Sequence, residues 1–150
     1  MTQDELFMRQ ALVEAQKAYE LGEVPVGAVV VRDGQIISRG HNRREIDHMA
    51  TAHAELLVMQ EACRLLGRWR LSDCTLYVTL EPCPMCAGTI VNARVGRVVY
   101  GAKDAKAGAM GSVLSLNAYP LNHKAAVTTG VLEKDCAAIL SDFFEKKRKP

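Results

Sequence analysis

Two cysteines stand three positions apart in "TLEPCPMC", residues 79–86, and the proline between them, Pro84, is suited to the first turn of a helix. Residues i and i+3 share one side of a helix, so the sulfurs of Cys83 and Cys86 can reach a common point. The partly positive N-terminus of such a helix favours the thiolate forms that a metal needs. A C-x-x-C pair can be half of a structural zinc knuckle, a redox dithiol, or part of a catalytic metal site. Upstream, "TAHAE" (51–55) offers His53 and Glu55. Side chains two positions apart on a helix point roughly 200° apart, so these two meet only at a site beyond the open N-terminal end of their helix. The spacing therefore predicts two helix N-termini aimed at one point, one bearing His53 and the other Cys83 and Cys86. An imidazole and two thiolates make three zinc ligands, and a catalytic zinc leaves its fourth position to water. Glu55 would stand beside that water as general acid/base. The competing reading is a closed structural zinc completed by His41, His48, His123 or Cys74, none of which belongs to a second short-spaced ligand pair.

The elements that must position these residues follow from local patterns. Thr2 and Glu5 form a capping box that starts a helix running to about Gly22, with Met8, Ala11, Leu12, Ala15, Ala18 and Tyr19 as its apolar stripe. "VPVGAVVVRDGQIISRG" reads as two strands joined by Asp33-Gly34, a hairpin turn. A polar loop from about Gly40 to Ala52 leads into a largely buried helix, "HAELLVMQEACRLLG", closed by Gly67. "CTLYVTL" (74–80) is a central strand, "PMCAGTIVNA" a helix and "GRVVYGA" a further strand, so a right-handed parallel crossover joins the two strands. A small-residue loop covers 103–112, "KAAVTTG" is the last strand, and a final helix over 132–147 turns Cys136, Ile139, Leu140 and Phe143 inward. The prediction is one α/β domain, residues 1–150, with a mixed sheet of about five strands between helical layers.

With 150 residues, 49% of them hydrophobic and 24% charged, the chain is long enough for one buried core and is neither disordered nor fibrous. No apolar run approaches the roughly 20 residues of a membrane span, and "MTQDELFMRQ" lacks the apolar core of a secretory signal. The cytoplasm is the expected compartment, where the five cysteines stay reduced. Cys63, Cys74 and Cys136 lie in apolar contexts and read as buried small hydrophobes, and Glu81 as an anchor for the turn before Cys83. The net charge of +2 excludes no partner class. Basic clusters occur around Trp69 (Arg64, Arg68, Arg70) and in the tail "EKKRKP", and solvated surface is the ordinary reading of both. Phe143 and Phe144 are read as core packing, with the rim of a substrate site as the alternative.

H-A-E followed by "TLEPCPMCAG" resembles the signature of the zinc-dependent nucleobase deaminases, the cytidine/deoxycytidylate deaminase superfamily. "GEVPVGAVVV", "HNRRE", "VVYGAKDAKAG", "LNHKAAVTTGVL" and "LSDFF" narrow the likeness to the tRNA-specific adenosine deaminases of bacteria, over nearly the whole chain. "EIDHMATA" and "AMGSVLSLNAYPLN" depart from that pattern. The resemblance implies a three-layer α/β/α sandwich, a homodimer, one zinc ion per subunit, and a tRNA anticodon stem-loop whose wobble adenosine becomes inosine. It implies that His53, Cys83 and Cys86 hold the zinc and that Glu55 moves the proton. Asn42 and the Ala54 N–H would face the base, and Val26, Asp104, Asn122 and His123 would lie on pocket or RNA-contact segments. Two readings stay open beside it: a deaminase of free guanine, cytidine or dCMP, and a non-catalytic RNA-binding subunit, which would be expected to lack the glutamate.

Overall fold

The computed structural model describes residues 1–148; the end of the basic tail, Lys149 and Pro150, lies outside the described residues. Helix α1 (Gln3–Glu20) opens on the Thr2 capping box, in which the Thr2 hydroxyl accepts from the Glu5 N–H at 3.1 Å and the Glu5 carboxylate from the Thr2 N–H at 2.9 Å. It buries Met8, Ala11, Ala15 and Ala18, whereas Leu12 and Tyr19 stay partly exposed. Strands β1 (Gly27–Arg32) and β2 (Gln35–His41) form the hairpin, and Asp33 (φ 51°) and Gly34 (φ 75°) both take the left-handed conformation of a tight two-residue turn. Helix α2 (Ala54–Leu66) stops at Gly67, which is left-handed. Then come β3 (Cys74–Leu80), α3 (Pro84–Asn92), β4 (Arg97–Ala102), β5 (Ala126–Thr129) and α4 (Glu133–Arg148). A short 3₁₀ turn, Leu116–Ala118, interrupts the long β4–β5 connection, where the sequence reading placed no regular structure.

The sheet order is β2-β1-β3-β4-β5. β1 runs antiparallel to both neighbours, and β3, β4 and β5 are mutually parallel, so the sheet is mixed. One face packs Val29, Val31, Tyr77 and Val99 against Met8 and Ala11 of α1 and Cys136 of α4. The other packs Ala28, Val30, Leu76, Val78 and Val98 against Val58, Met59 and Ala62 of α2 and Ala87 and Ile90 of α3. Burial on both faces explains why β1 is an unbroken apolar run instead of an alternating one. Each fully buried Val, Leu, Ile or Met among them contributes on the order of 1.5–3 kcal/mol to folding, and each alanine less. Gly27 lets α1 lie directly on β1, because a Cβ there would strike the Ala11 carbonyl.

Cys74 and Cys136 are buried, and burial pushes their thiols up to about 11 and about 12; Cys63 is half-buried, its thiol facing the Trp69 carbonyl. Trp69 itself is exposed and carries the Arg70 guanidinium 4.6 Å from its ring centre. On α4 the inward face differs from expectation. Cys136 and Phe143 are buried, and Leu140 is partly buried, packing against the core while it also lines a cleft; Ile139 is only partly buried, and Phe144 is exposed on the cleft. No helix among the described residues is long and apolar enough to cross a membrane. The carboxyl ends of parallel strands are where sheets of this type place ligands. The chain leaves β3 at that end and turns within three residues into Cys83.

Candidate active site

His53 is the N-cap residue of α2 and Cys83 that of α3, and neither side chain is spent on a cap bond. The two helix N-termini face each other. His53 Nδ1 lies 3.6 Å from Cys83 Sγ and 3.7 Å from Cys86 Sγ, and the ligand atoms of all three residues fall within 4.8 Å of one another. Two atoms bound tetrahedrally to one zinc, the sulfur at about 2.3 Å and the nitrogen at about 2.05 Å, stand about 3.6 Å apart. The donor atoms therefore already have the spacing a zinc ion needs. Among the described residues no fourth protein ligand joins the group. His123 is turned to the Val95 carbonyl at 2.6 Å, His41 to the Asn42 carbonyl at 2.9 Å, and Cys74 lies at the start of β3.

The electrostatics suit a cation. Hydrogen bonding to Cys86, with His53 adding to it, holds the Cys83 thiol down at about 3, against the pull of burial. The same bond to Cys83, together with burial, pushes the Cys86 thiol far up. The bond to Cys83 raises His53. A divalent ion at this point would displace the protons that these groups hold. Glu55, only 4% exposed, projects from the first turn of α2, and burial pushes its carboxyl up to about 7. A carboxylate tuned to that range is suited to exchanging protons at neutral pH.

His53, Glu55 and Cys83 line the floor of a cleft of about 750 Å3, with Cys86 buried beside them. Val24, Val26, Asn42 and Arg44 make one wall, and Leu80, Glu81 and residues 103–107, Asp104 among them, the other. Phe144, Lys147 and Arg148 of α4 stand at the rim. Of the residues predicted to face substrate, the structure brings Val26, Asn42 and Asp104 to the cleft and leaves Asn122 and His123 out of its lining. Ala54 is fully buried, and its N–H donates to Asn42 Oδ1 at 2.9 Å; the amide expected to face a base is engaged with Asn42 instead.

Two buried carboxylates hold the walls. Glu23, 1% exposed, accepts the N–H groups of Glu45 (3.2 Å) and Ile46 (2.7 Å); sequence reasoning missed it, although an acid embedded in "GEVPVGAVVV" is the signal that marks it. Glu81, 2% exposed, accepts from the Asp104, Met110 and Ser112 amides and from the Ser112 hydroxyl. It thus reaches well beyond the turn that the sequence assigned to it.

A mixed five-stranded α/β/α sandwich with a His/Cys/Cys group and a buried glutamate at two facing helix ends is the arrangement of the nucleobase deaminases. The profile of the MafB19-like deaminase family matches residues 2–148. A tRNA-specific adenosine deaminase of Bacillus subtilis (strain 168) is 56% identical over 150 residues, covering 99% of this chain and 93% of that protein. A solved structure from a study of A-to-I editing by tRNA:A34 deaminases at the wobble position superposes with a TM-score of 0.88, at 48% identity, over 90% of this chain and 99% of that one. A guanine deaminase from Nitrosomonas europaea superposes with a TM-score of 0.78 at 25% identity, over 93% of this chain and 83% of that one. The chain belongs to the family of tRNA-specific adenosine deaminases.

Proposed function

We propose that this chain, as a single domain, hydrolyses the wobble-position adenosine of a tRNA anticodon to inosine and ammonia. The observation that carries the reading is the pairing of a three-ligand group of zinc spacing with the buried Glu55 on the floor of one cleft, in a chain 56% identical to a named tRNA-specific adenosine deaminase. His53, Cys83 and Cys86 would hold one zinc ion per subunit. When bound, zinc supplies a water acidified from its bulk value toward about 7.

Glu55 would take a proton from the attacking water and deliver it to ring nitrogen N1, while the water oxygen bonds to C6 of the adenine. Glu55 would then take the proton of the new C6 hydroxyl and pass it to the amine, so that the C6–N bond breaks, ammonia leaves and the C6 carbonyl of inosine forms. Asn42 holds the base. Its Oδ1 is engaged by the Ala54 N–H, so its NH2 end is the one turned to substrate. Val26 and Asp104 shape the pocket. An adenine stacked within an anticodon cannot reach the floor, so the nucleotide must be splayed out into the cleft. Arg44, Lys103, Lys106, Lys147 and Arg148 line the same cleft and would hold the flanking phosphates. Asn122 and His123 would touch RNA only outside the cleft. A homodimer working in the cytoplasm completes the reading, on the strength of the family likeness.

The test is inosine formation on an anticodon stem-loop with adenosine at the wobble position, with and without a chelator. Guanine, cytidine and dCMP are assayed in parallel. Chelator-sensitive inosine formation is the expected result. Turnover of a free base or nucleotide with an inert stem-loop would overturn it.

A further inference from the structure

Glu81 is a fully enclosed carboxylate that the chemistry above does not use. It ends the β3 side of the turn into Cys83, two residues before that ligand. Its Oε1 accepts from the Asp104 N–H at 3.1 Å and the Ser112 hydroxyl at 2.5 Å, and its Oε2 from the N–H groups of Met110 at 3.1 Å and Ser112 at 3.0 Å. The carboxylate thus gathers donors from both ends of the 103–112 loop. The loop is pinned beside it by the Ala109 N–H, which donates to the Pro82 carbonyl at 2.9 Å. Within the loop, Asp104 Oδ1 accepts the N–H groups of Lys106 and Ala107 and makes a tight turn. Gly108 lies so close that a Cβ there would run into the Glu81 carboxyl group and the Asp104 carbonyl. The part of this loop facing the cleft is residues 103–107.

We infer that Glu81 is a positioning residue for substrate: by collecting the amides of the 103–112 loop, it sets that wall of the cleft in fixed register with the Cys83–Cys86 turn, and so governs how the substrate is held. The inference rests on the proposed deaminase reading for the identity of the substrate, but not for the clamp itself. Glu81 touches no reacting atom in this role, so its loss should appear in substrate binding more than in turnover, and locally in the loop. The wall is built from backbone amides gathered by one acid, so the side chains of 103–107 inherit their placement from a residue outside their own segment.

The experiment compares the zinc-loaded wild type with Glu81→Gln, Ser112→Ala and Gly108→Ala. It measures zinc per chain, KM and kcat on the wobble-adenosine stem-loop, and amide hydrogen exchange. Replacing the carboxylate by an amide puts an NH2 against donors. Glu81→Gln should keep its zinc, raise KM about tenfold with kcat changed less than about threefold, and speed exchange at residues 104, 110 and 112 about tenfold or more while the β3 and β4 amides stay protected. Ser112→Ala removes only the hydroxyl bond and should raise KM about two- to threefold. Gly108→Ala keeps every charge but displaces the loop, and should raise KM in the same way. Unchanged exchange in the loop of Glu81→Gln would overturn the inference. So would lost kcat at constant KM, which would place Glu81 in the chemistry, or zinc loss with faster exchange throughout the sheet, which would make it merely structural. Should Glu81→Gln not fold, Ser112→Ala and Gly108→Ala decide by the same readouts. If the wild type leaves the stem-loop untouched, the deaminase reading fails, while the exchange measurement still decides the clamp.

Discussion

The floor of the cleft and its walls are built on opposite principles. On the floor, residue type is everything: an imidazole, two thiols and a carboxyl are delivered by two helix N-termini, and the three ligand atoms sit within 4.8 Å. In the walls, the loops at 43–52 and 103–112 are held through backbone amides donated to acids elsewhere in the chain, two to Glu23 and three to Glu81, which also takes the Ser112 hydroxyl. Any residue but proline supplies an amide. Apart from Asp104, Gly108 and Ser112, whose side chains or lack of one matter, the amides of the 103–112 wall can come from many residue types, whereas the floor depends on the chemistry of its own side chains. Burial also divides the two regions: it tunes Glu55 toward proton exchange, but in Glu23 and Glu81 it serves to keep water from competing for the amides.

Substitutions can break or sharpen this division. The largest effect is expected at the floor. Cys86→Ser removes a ligand from a buried position and should lose both zinc and deamination, read as metal content and inosine yield. Glu55→Ala separates the two properties: zinc stays stoichiometric while turnover falls by about 10²- to 10⁴-fold. If that variant stays active, the proton-shuttle role is wrong. A wall change should be smaller and of a different kind. Glu23→Gln should raise KM about three- to tenfold, leave kcat within about twofold, and keep the metal, since its two amide bonds hold only the loop beyond Asn42. A loss of kcat larger than the rise in KM would collapse the distinction between wall and floor.

The smallest effect belongs to a control far from both. Asp4 pairs with Arg97 through two bonds (2.9 and 2.6 Å) and accepts the Tyr77 hydroxyl at 2.6 Å. The Arg97 bond outweighs burial and holds its carboxyl below the usual range. A lowered folded-state value means that the stabilisation is fully present above the unfolded value of about 3.9 and fades as the pH falls through the folded one. Asp4→Asn should lower Tm by about 2–4 °C at pH 7 and by progressively less below about pH 4, with KM and kcat unchanged. A gap in Tm that is constant with pH would contradict this.

How much of this was legible in the sequence follows the same division. The spacing of His53, Glu55, Cys83 and Cys86 was enough to predict facing helix ends, because two positions on a helix cannot converge in any other way. "CTLYVTL", the Thr2 box, Asp33-Gly34 and Gly67 each carry their structure locally, and the elements stand where those residues put them. The calculus fails where the partner is distant. Nothing within "KDAKAGAMGS" reveals that its amides converge on Glu81, and the seating of the Ala54 N–H on Asn42 depends on where β2 ends. Phe143 and Phe144 show the limit at its sharpest. The two are adjacent and chemically identical, yet one is 6% exposed and the other 44%, because α4 turns one to the core and the other to the cleft.

His53 and Cys83 lie 30 positions apart along the chain. An ion bridging them would close a loop of that length, much as a disulfide does. In the chain-entropy account a covalent link of this span withdraws roughly 3.5 kcal/mol of freedom from the unfolded state. The separation that spreads the ligands over two helices would thus make the metal a clasp on the chain's topology, and heating the protein with and without it would measure the strength of that clasp.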